Sequence, residues 1–306
     1  MPNIDSVPAG HEGTPGRTLL PAAIHATTFR MGGMVLLFVM VIAAVVWLLP
    51  IVWVLVTSLK ITANIVRLPP EWIPWPITGA HYAEVLFGSS RTARIGRAFV
   101  NSTVVSAGSV FLVMLTSAMA AYPLARMRFP GRNLIFAVLV GSLMVPNIVT
   151  LVPQYILVQQ LGWLSTFQGL IFPEASMTLA FGIFLLRQFF LSIPVELEDA
   201  ARIDGANAWQ IFTRIIVPVS HPAFAALAIF AFRSAWNDFL WPLIAVNKVD
   251  MLPLPVALAF LRGAYANESY GPIMAGAVLS ALPLFIVFLI ANRRIVEGVQ
   301  LSGLKG

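Results

Sequence analysis

Three long stretches of this chain, Met31–Leu59, Ala98–Ala125 and Asn133–Pro173, contain no charged side chain at all. A backbone buried in hydrocarbon finds no water for its N–H and C=O groups, so a run of this kind must satisfy itself as a helix. About 20 apolar residues cross a bilayer core of about 30 Å. Asn133–Pro173 exceeds one crossing and therefore holds a span, a turn and the start of another.

The composition agrees with a membrane-embedded chain. Apolar residues make up 58% and charged residues 10%, with a mean hydropathy of +0.85, against roughly 45–50% and 25% in soluble domains. The absence of cysteine excludes disulfides, thiolate metal ligands and cysteine nucleophiles. His11, His25, His81 and His221 are too scattered to form a local metal motif. The net charge of +6 comes without a dense basic run, so it argues for membrane anchoring rather than nucleic acid.

In chain order, residues 1–30 are polar and rich in Pro, Gly and Thr and read as a disordered tail. Six spans are expected, at about 31–59, 98–125, 134–152, 168–190, 215–240 and 273–292, followed by a tail at 293–306. Met251–Leu261 is apolar but too short to cross. An even number of spans puts both ends on one side. Arg126, Arg128 and Arg132 around a Pro-Gly turn, with Arg293 and Arg294, favour N-in and C-in, although Lys60, Arg67, Arg91, Arg94 and Arg97 oppose this from the first outer loop.

Glu196–Pro218 interrupts the hydrophobic chain with Glu196, Glu198, Asp199, Arg202, Asp204 and Arg214. The arrangement predicts two short helices. Pro194 suits a first turn, and the acidic residues after it favour the positive end of the helix dipole. Gly205 can take the left-handed conformation that ends the first helix, and Asn207 with Gln210 has capping-box spacing for the second. Pro218 is expected to close the unit. Ala200, Ala201 and Ala206 are small enough to let a partner approach, while an amphipathic connector lying on headgroups is the plainer alternative.

The pattern Asp199-Ala200-Ala201, Asp204-Gly205-Ala206 and Ile215-x-Val217-Pro218 resembles the EAA loop of ABC-importer permeases. Asp199 stands where that family usually has glutamate, and Val217 where it has leucine. Val56–Lys60, Trp236–Pro242 and the tail from Arg293 are similar to MalG-type permeases of carbohydrate importers. The resemblance implies an all-α permease whose Glu198, Asp199, Ala200, Ala201, Asp204, Gly205, Ala206 and Pro218 dock into an ATP-binding subunit. It also implies a second permease subunit, an ATPase dimer, an extracytoplasmic solute-binding protein and a place in a bacterial or archaeal cytoplasmic membrane. ATP and Mg would sit on the partner. Lys60, Lys248 and Lys305 each lack the preceding glycine of a P-loop, so the chain shows no P-loop ATPase of its own.

Ionisable groups inside spans are costly and tend to face the protein interior or water. Glu174, Arg233 and Asp238, with the polar Asn147 and Asn237, are therefore candidates for the substrate path. The structural alternatives are that Arg233 pairs with Glu174 or with a partner permease, or snorkels. Trp236 and Trp241 suit either sugar stacking or interfacial anchoring. A glycerol 3-phosphate or polyol importer is the nearer functional rival, and an ion-coupled secondary transporter the more distant one.

Overall fold

A computed structural model of the chain describes residues 22–88, 95–265 and 269–303. Among them there is no β-strand. The helices are α1 (Ala22–Ser58), α2 (Thr62–Ile65), α3 (Ala80–Phe87), α4 (Ile95–Arg126), α5 (Arg132–Ser142), α6 (Asn147–Gln160), α7 (Phe167–Ser192), α8 (Glu196–Ile203), α9 (Ala208–Ile211), α10 (Val217–Val219), α11 (His221–Asn237), α12 (Leu240–Ala245), α13 (Leu254–Tyr265) and α14 (Gly271–Gly303). Residues 1–21 lie outside the described residues, while Ala22–Arg30, expected in the tail, are helical within α1.

The chain divides into two compact units between Val52 and Trp53. The first holds most of α1, whose side chains from Met34 to Leu49 are largely exposed. The second, from Trp53 on, holds the packed bundle. Gly33–Ser58, Ile95–Arg126, Phe167–Ser192 and Gly271–Ile290 are each long and apolar enough to cross a membrane, and two bent helix pairs bring the possible total to 6.

The second unit is built on α4 and α7, which run parallel. Ser109 faces the carbonyl of Ile171, Arg187 Nε donates to the Leu124 carbonyl at 3.0 Å, and Arg126 Nη2 donates to the Ile193 carbonyl. Each contact advances along both helices together. The seam is lined by small residues, with Ser106, Ser109, Ser117, Ala118, Ala121 and Ala125 buried on α4 and Ala175 and Gly182 on α7. Between apolar helices in lipid this is how backbones come close enough for van der Waals packing to hold them. Because α4 and α7 are parallel, residues 127–166 return the chain from one end of the bundle to the other.

That return is not the straight span expected at 134–152. It is α5 and α6, bent by 99°. α5 has 11 residues and spans only about 16 Å at 1.5 Å per residue. The break follows from Pro146, whose extended backbone (ψ 132°) starts α6. Before it Leu143, Met144 and Val145 bond back three residues, a tightened helix end.

The fifth pass is also bent, by 74° between Ala208–Val219 and His221–Asn237, rather than one helix over 215–240. Pro218 does not close the polar unit. It lies inside α10, behind a π-helical turn at Phe212–Ile216 in which Val217 N–H reaches back to Phe212 O. The wide turn accommodates a proline ring that would otherwise meet the preceding turn's carbonyl. The break comes later, at Ser220, just ahead of Pro222.

Two clusters of buried side chains divide α4 along its length. Ile95, Ala98 and Val105 share one with Trp236, Trp241, Leu254 and Ala257, and Val113 to Ala125 share the other with Leu186, Phe190, Ile211 and Ile216. At the first end α13 is locked to α4 through backbone groups. Asn101 Nδ2 donates to the carbonyls of Asp250 (2.8 Å) and Leu252 (3.1 Å), and Leu254 N–H donates to Ser102 Oγ at 2.7 Å. Trp236 and Trp241 are buried here, and their indole N–H groups donate to the carbonyls of Ser280 (3.0 Å) and Gly169 (2.9 Å). They join helices, rather than anchoring at an interface or stacking on a sugar as the sequence left open.

Gly169 is the tightest point of this end, since a Cβ there would lie 2.1 Å from the carbonyl oxygen of Trp163. Gly169→Ala is expected to cost about 1–3 kcal/mol by overpacking. The check is a lowered midpoint of thermal unfolding for the detergent-purified variant.

Candidate functional site

The polar interruption folds as a helical hairpin against the far end of α4 and α7. α8 carries Glu196, Glu198 and Asp199 in its first turn and Arg202 in its last, an order that complements the helix dipole at both ends. Asp204 caps α8, and Gly205 turns the chain with φ 84°. Nothing lies within 4 Å of where a Gly205 Cβ would sit, so the glycine is required by the left-handed backbone and not by crowding. Asn207 Oδ1 then accepts the Gln210 N–H at 2.9 Å, while Gln210 Oε1 accepts the Asn207 N–H at 2.9 Å. This reciprocal box opens α9.

Apolar contacts fix the hairpin to the bundle. Ile193, Ile211, Phe212 and Ile216 are buried with Tyr122, Leu124 and Phe190, and the Tyr122 and Phe212 ring centroids are 5.1 Å apart. Ala201 and Ala206, expected to face a partner, are partly buried against this cluster and also border the open side of the bend, while Ala200 is exposed. The spacing of α8 puts one alanine on each side of the helix. An open cleft of about 400 Å³ follows the bend, lined by Ala201, Asp204, Gly205, Ala206, Gln210, Arg214 and Ile215.

Charge fixes the hairpin's register. Glu198 is 1% exposed and lies beneath α8, where its Oε1 is 2.9 Å from Arg126 Nε at the end of α4. The Arg126 N–H is close but not aimed along the line to the carboxylate, so this contact is coulombic more than a hydrogen bond. Arg202 closes the other side, 3.3 Å from Glu198 Oε2 and 2.8 Å from Asp199 Oδ1. The exposed Arg202–Asp199 leg contributes about 0–1 kcal/mol. Losing one partner of the buried leg costs about 3–5 kcal/mol, because the other charge is left in a dry site. Arg126 stood in the sequence only as a marker of sidedness, and no local pattern connects it to Glu198, which lies on another helix.

The path candidates do not form one constellation. Glu174 is buried on α7 near the Ser234 side chain, with the Asp238 carboxylate as its charged neighbour and one carboxylate oxygen unpaired. Arg233 is exposed and, among the described residues, makes no ion pair with Glu174. Their pairing, one of the structural alternatives, is not made among the described residues, and in this subunit the arginine side chain is exposed on α11. Asn237 is also exposed, and its Nδ2 donates to the Arg233 carbonyl at 2.9 Å. Asp238 accepts backbone N–H groups at the start of α12, which gives it a capping role. Asn147 is exposed at the first position of α6. Glu174 and Asp238 are brought together, and Asn147 is not.

Fold and site together define a multi-span helical membrane subunit with a polar hairpin docked at one end. Residues 112–300 match the family described as binding-protein-dependent transport system inner membrane component, and the chain belongs to that family. It is 35% identical over 270 residues to the diacetylchitobiose uptake system permease protein NgcG of Streptomyces coelicolor, covering 85% of each. It is 34% identical over 260 residues to the trehalose transport system permease protein SugB of Mycobacterium tuberculosis, covering 85% of this chain and 93% of that one. It is 30% identical over 266 residues to the trehalose/maltose transport system permease protein MalG of Thermococcus litoralis, covering 87% and 94%. The fold matches a chain in the crystal structure of a bacterial ABC transporter involved in the import of the acidic polysaccharide alginate. That match has a TM-score of 0.75 and 24% identity, over 92% of this chain and 99% of that one.

Replacing Glu198 by Met leaves Arg126 uncompensated and is expected to destabilise the hairpin by about 3–5 kcal/mol. The double variant Glu198→Met with Arg126→Met is expected to recover most of that loss. A double-mutant cycle on thermal unfolding checks both, and additive losses would show that the two side chains act independently.

Proposed function

We propose that this chain is the permease subunit of an ATP-driven importer for a sugar or oligosaccharide, with the α8–α9 hairpin as the element that receives motion from a separate ATPase. The observation that carries this reading is the hairpin itself: a polar two-helix unit at the end of a membrane bundle, anchored from below by Glu198 and open above. The named relatives that transport diacetylchitobiose, trehalose and maltose support the substrate class. Six crossings with N-in and C-in topology follow if α5–α6 and α9–α11 each count once, a reading supported by the parallel run of α4 and α7. The hairpin then faces the cytoplasm. A second permease completes the path, a solute-binding protein delivers substrate from outside, and a structure of an alginate transporter in complex with its substrate-bound periplasmic protein illustrates that arrangement in a protein of related fold. ATP and Mg sit on the partner ATPase, and this chain carries no cofactor of its own.

In this mechanism α8 enters a cleft of the ATPase, and closure of the ATPase dimer shifts the hairpin. The shift drives the spans between two access states only to the extent that the ATPase binds those states differently. Gly205 sets the angle between α8 and α9. A β-branched residue at φ 84° is strained by about 1–2 kcal/mol or more, whereas asparagine tolerates that region.

Gly205→Val is therefore expected to leave the protein inserted but abolish substrate-stimulated ATP hydrolysis in the reconstituted complex, and Gly205→Asn to retain most of it. Normal stimulation in the valine variant would sink the coupling role. Arg233 is exposed on α11 of this subunit, where a path shared with the second permease would lie, so Arg233→Ala is expected to lower sugar uptake while leaving the unfolding midpoint of the subunit unchanged. Radiolabelled sugar uptake into proteoliposomes is the measurement.

A further inference from the structure

The turn between α4 and α5 carries charge that the coupling hairpin does not use. Arg126 is neutralised by Glu198, but among the described residues neither Arg128 nor Arg132 has a carboxylate partner. The sequence contains no Asp or Glu anywhere from 85 to 173. Arg132 Nη1 donates to the Met127 carbonyl at 3.0 Å, which folds its guanidinium back over the turn, and the positive φ of Gly131 (82°) allows that fold. Arg187 lies close enough behind to repel Arg132 electrostatically. It is itself held by the Leu124 carbonyl and by the Phe136 ring, 3.9 Å from the guanidinium carbon. The result is an open cavity of about 280 Å³ lined by Arg128, Phe129, Gly131, Arg132, Asn133 and Leu134. An uncovered apolar face rises directly from it along α5, with Leu134 69%, Ile135 48% and Val138 64% exposed.

We propose that this cavity binds the phosphate headgroup of an anionic phospholipid, with Arg128 and Arg132 against the phosphate and an acyl chain along Leu134, Ile135 and Val138. The occupant needs a negative head to match an uncompensated basic pair and an apolar tail to cover the helix face above it. A free phosphate supplies only the first. The position rests on the reading given above, in which this end of the bundle faces the cytoplasm and so the leaflet where basic residues meet anionic lipid.

The test is native mass spectrometry of the assembled transporter, purified in detergent and loaded from mixed micelles of equal phosphatidylglycerol and phosphatidylcholine. Wild type is expected to retain phosphatidylglycerol over phosphatidylcholine, and millimolar inorganic phosphate to leave it bound. Each arginine near an anionic surface contributes about fivefold, so R128Q/R132Q is expected to bind phosphatidylglycerol about 30-fold more weakly. R128K/R132K, which keeps the charge, should retain most of it. Equal retention of the two lipids, or unchanged phosphatidylglycerol in R128Q/R132Q, would overturn the proposal. Displacement by inorganic phosphate would reduce the site to an anion pocket and overturn the lipid assignment. Loss of the ATPase subunit from R128Q/R132Q at full lipid retention would assign the arginines to a protein contact instead. A wild-type complex that purifies with no ATPase at all would count against the transport reading while leaving the lipid count decisive.

Discussion

The arrangement depends on one buried carboxylate. A short amphipathic helix of eight residues is not stable alone in water, and α8 has little apolar surface with which to hold itself to the bundle. Glu198 solves that by reaching down to the last turn of α4, where Arg126 and the Ile193 carbonyl complete a polar contact under the helix. The site is nearly dry, so the pair discriminates strongly between correct and slipped placement even where its net contribution to stability is small. Tyr122, Phe212 and Ile211 supply the apolar attachment around it. Charge decides which face of α8 looks inward, and burial decides how firmly.

Much of this was readable from residue types and spacing. The uncharged runs required membrane helices, and the positive φ at Gly205 and the Asn207–Gln210 box are local devices whose residues stand within a few positions of each other. Local chemistry of that kind can be read without knowing the fold. The breaks near Pro146 and Ser220 were harder, because a proline permits a kink without specifying its size, and neighbouring helices decide whether it becomes 99° or 74°. Pro218 shows the opposite error. It sits inside a helix because a π turn ahead of it makes room.

The path residues were least legible. Hydropathy marks Glu174 as costly in a span, but only the fold shows that Ser234 and Asp238 are its neighbours and that Arg233 looks elsewhere. Trp236 and Trp241 stand in a run that reads as an interface motif, yet each spends its indole N–H on a carbonyl of another helix. A tryptophan's choice between an interface and a core depends on what is packed over it, and that is a long-range property. The Glu198–Arg126 pairing belongs in the same class.

The parallel seam between α4 and α7 has a mechanical consequence. Two long helices packed through serine, alanine and glycine have little side-chain bulk to compress between them, so a tilt of one would carry the other with it. α4 has 32 residues and is about 48 Å long at 1.5 Å per residue. A tilt of about 5° applied where α8 is pinned would swing the opposite end by roughly 4 Å, through the lever arm alone. Asn101 and Ser102 clasp α13 near that opposite end. If α8 receives motion from an ATPase, a helix pair of this length would carry a small tilt at one end of the bundle to a displacement of several ångström at the other, with its length setting the reach.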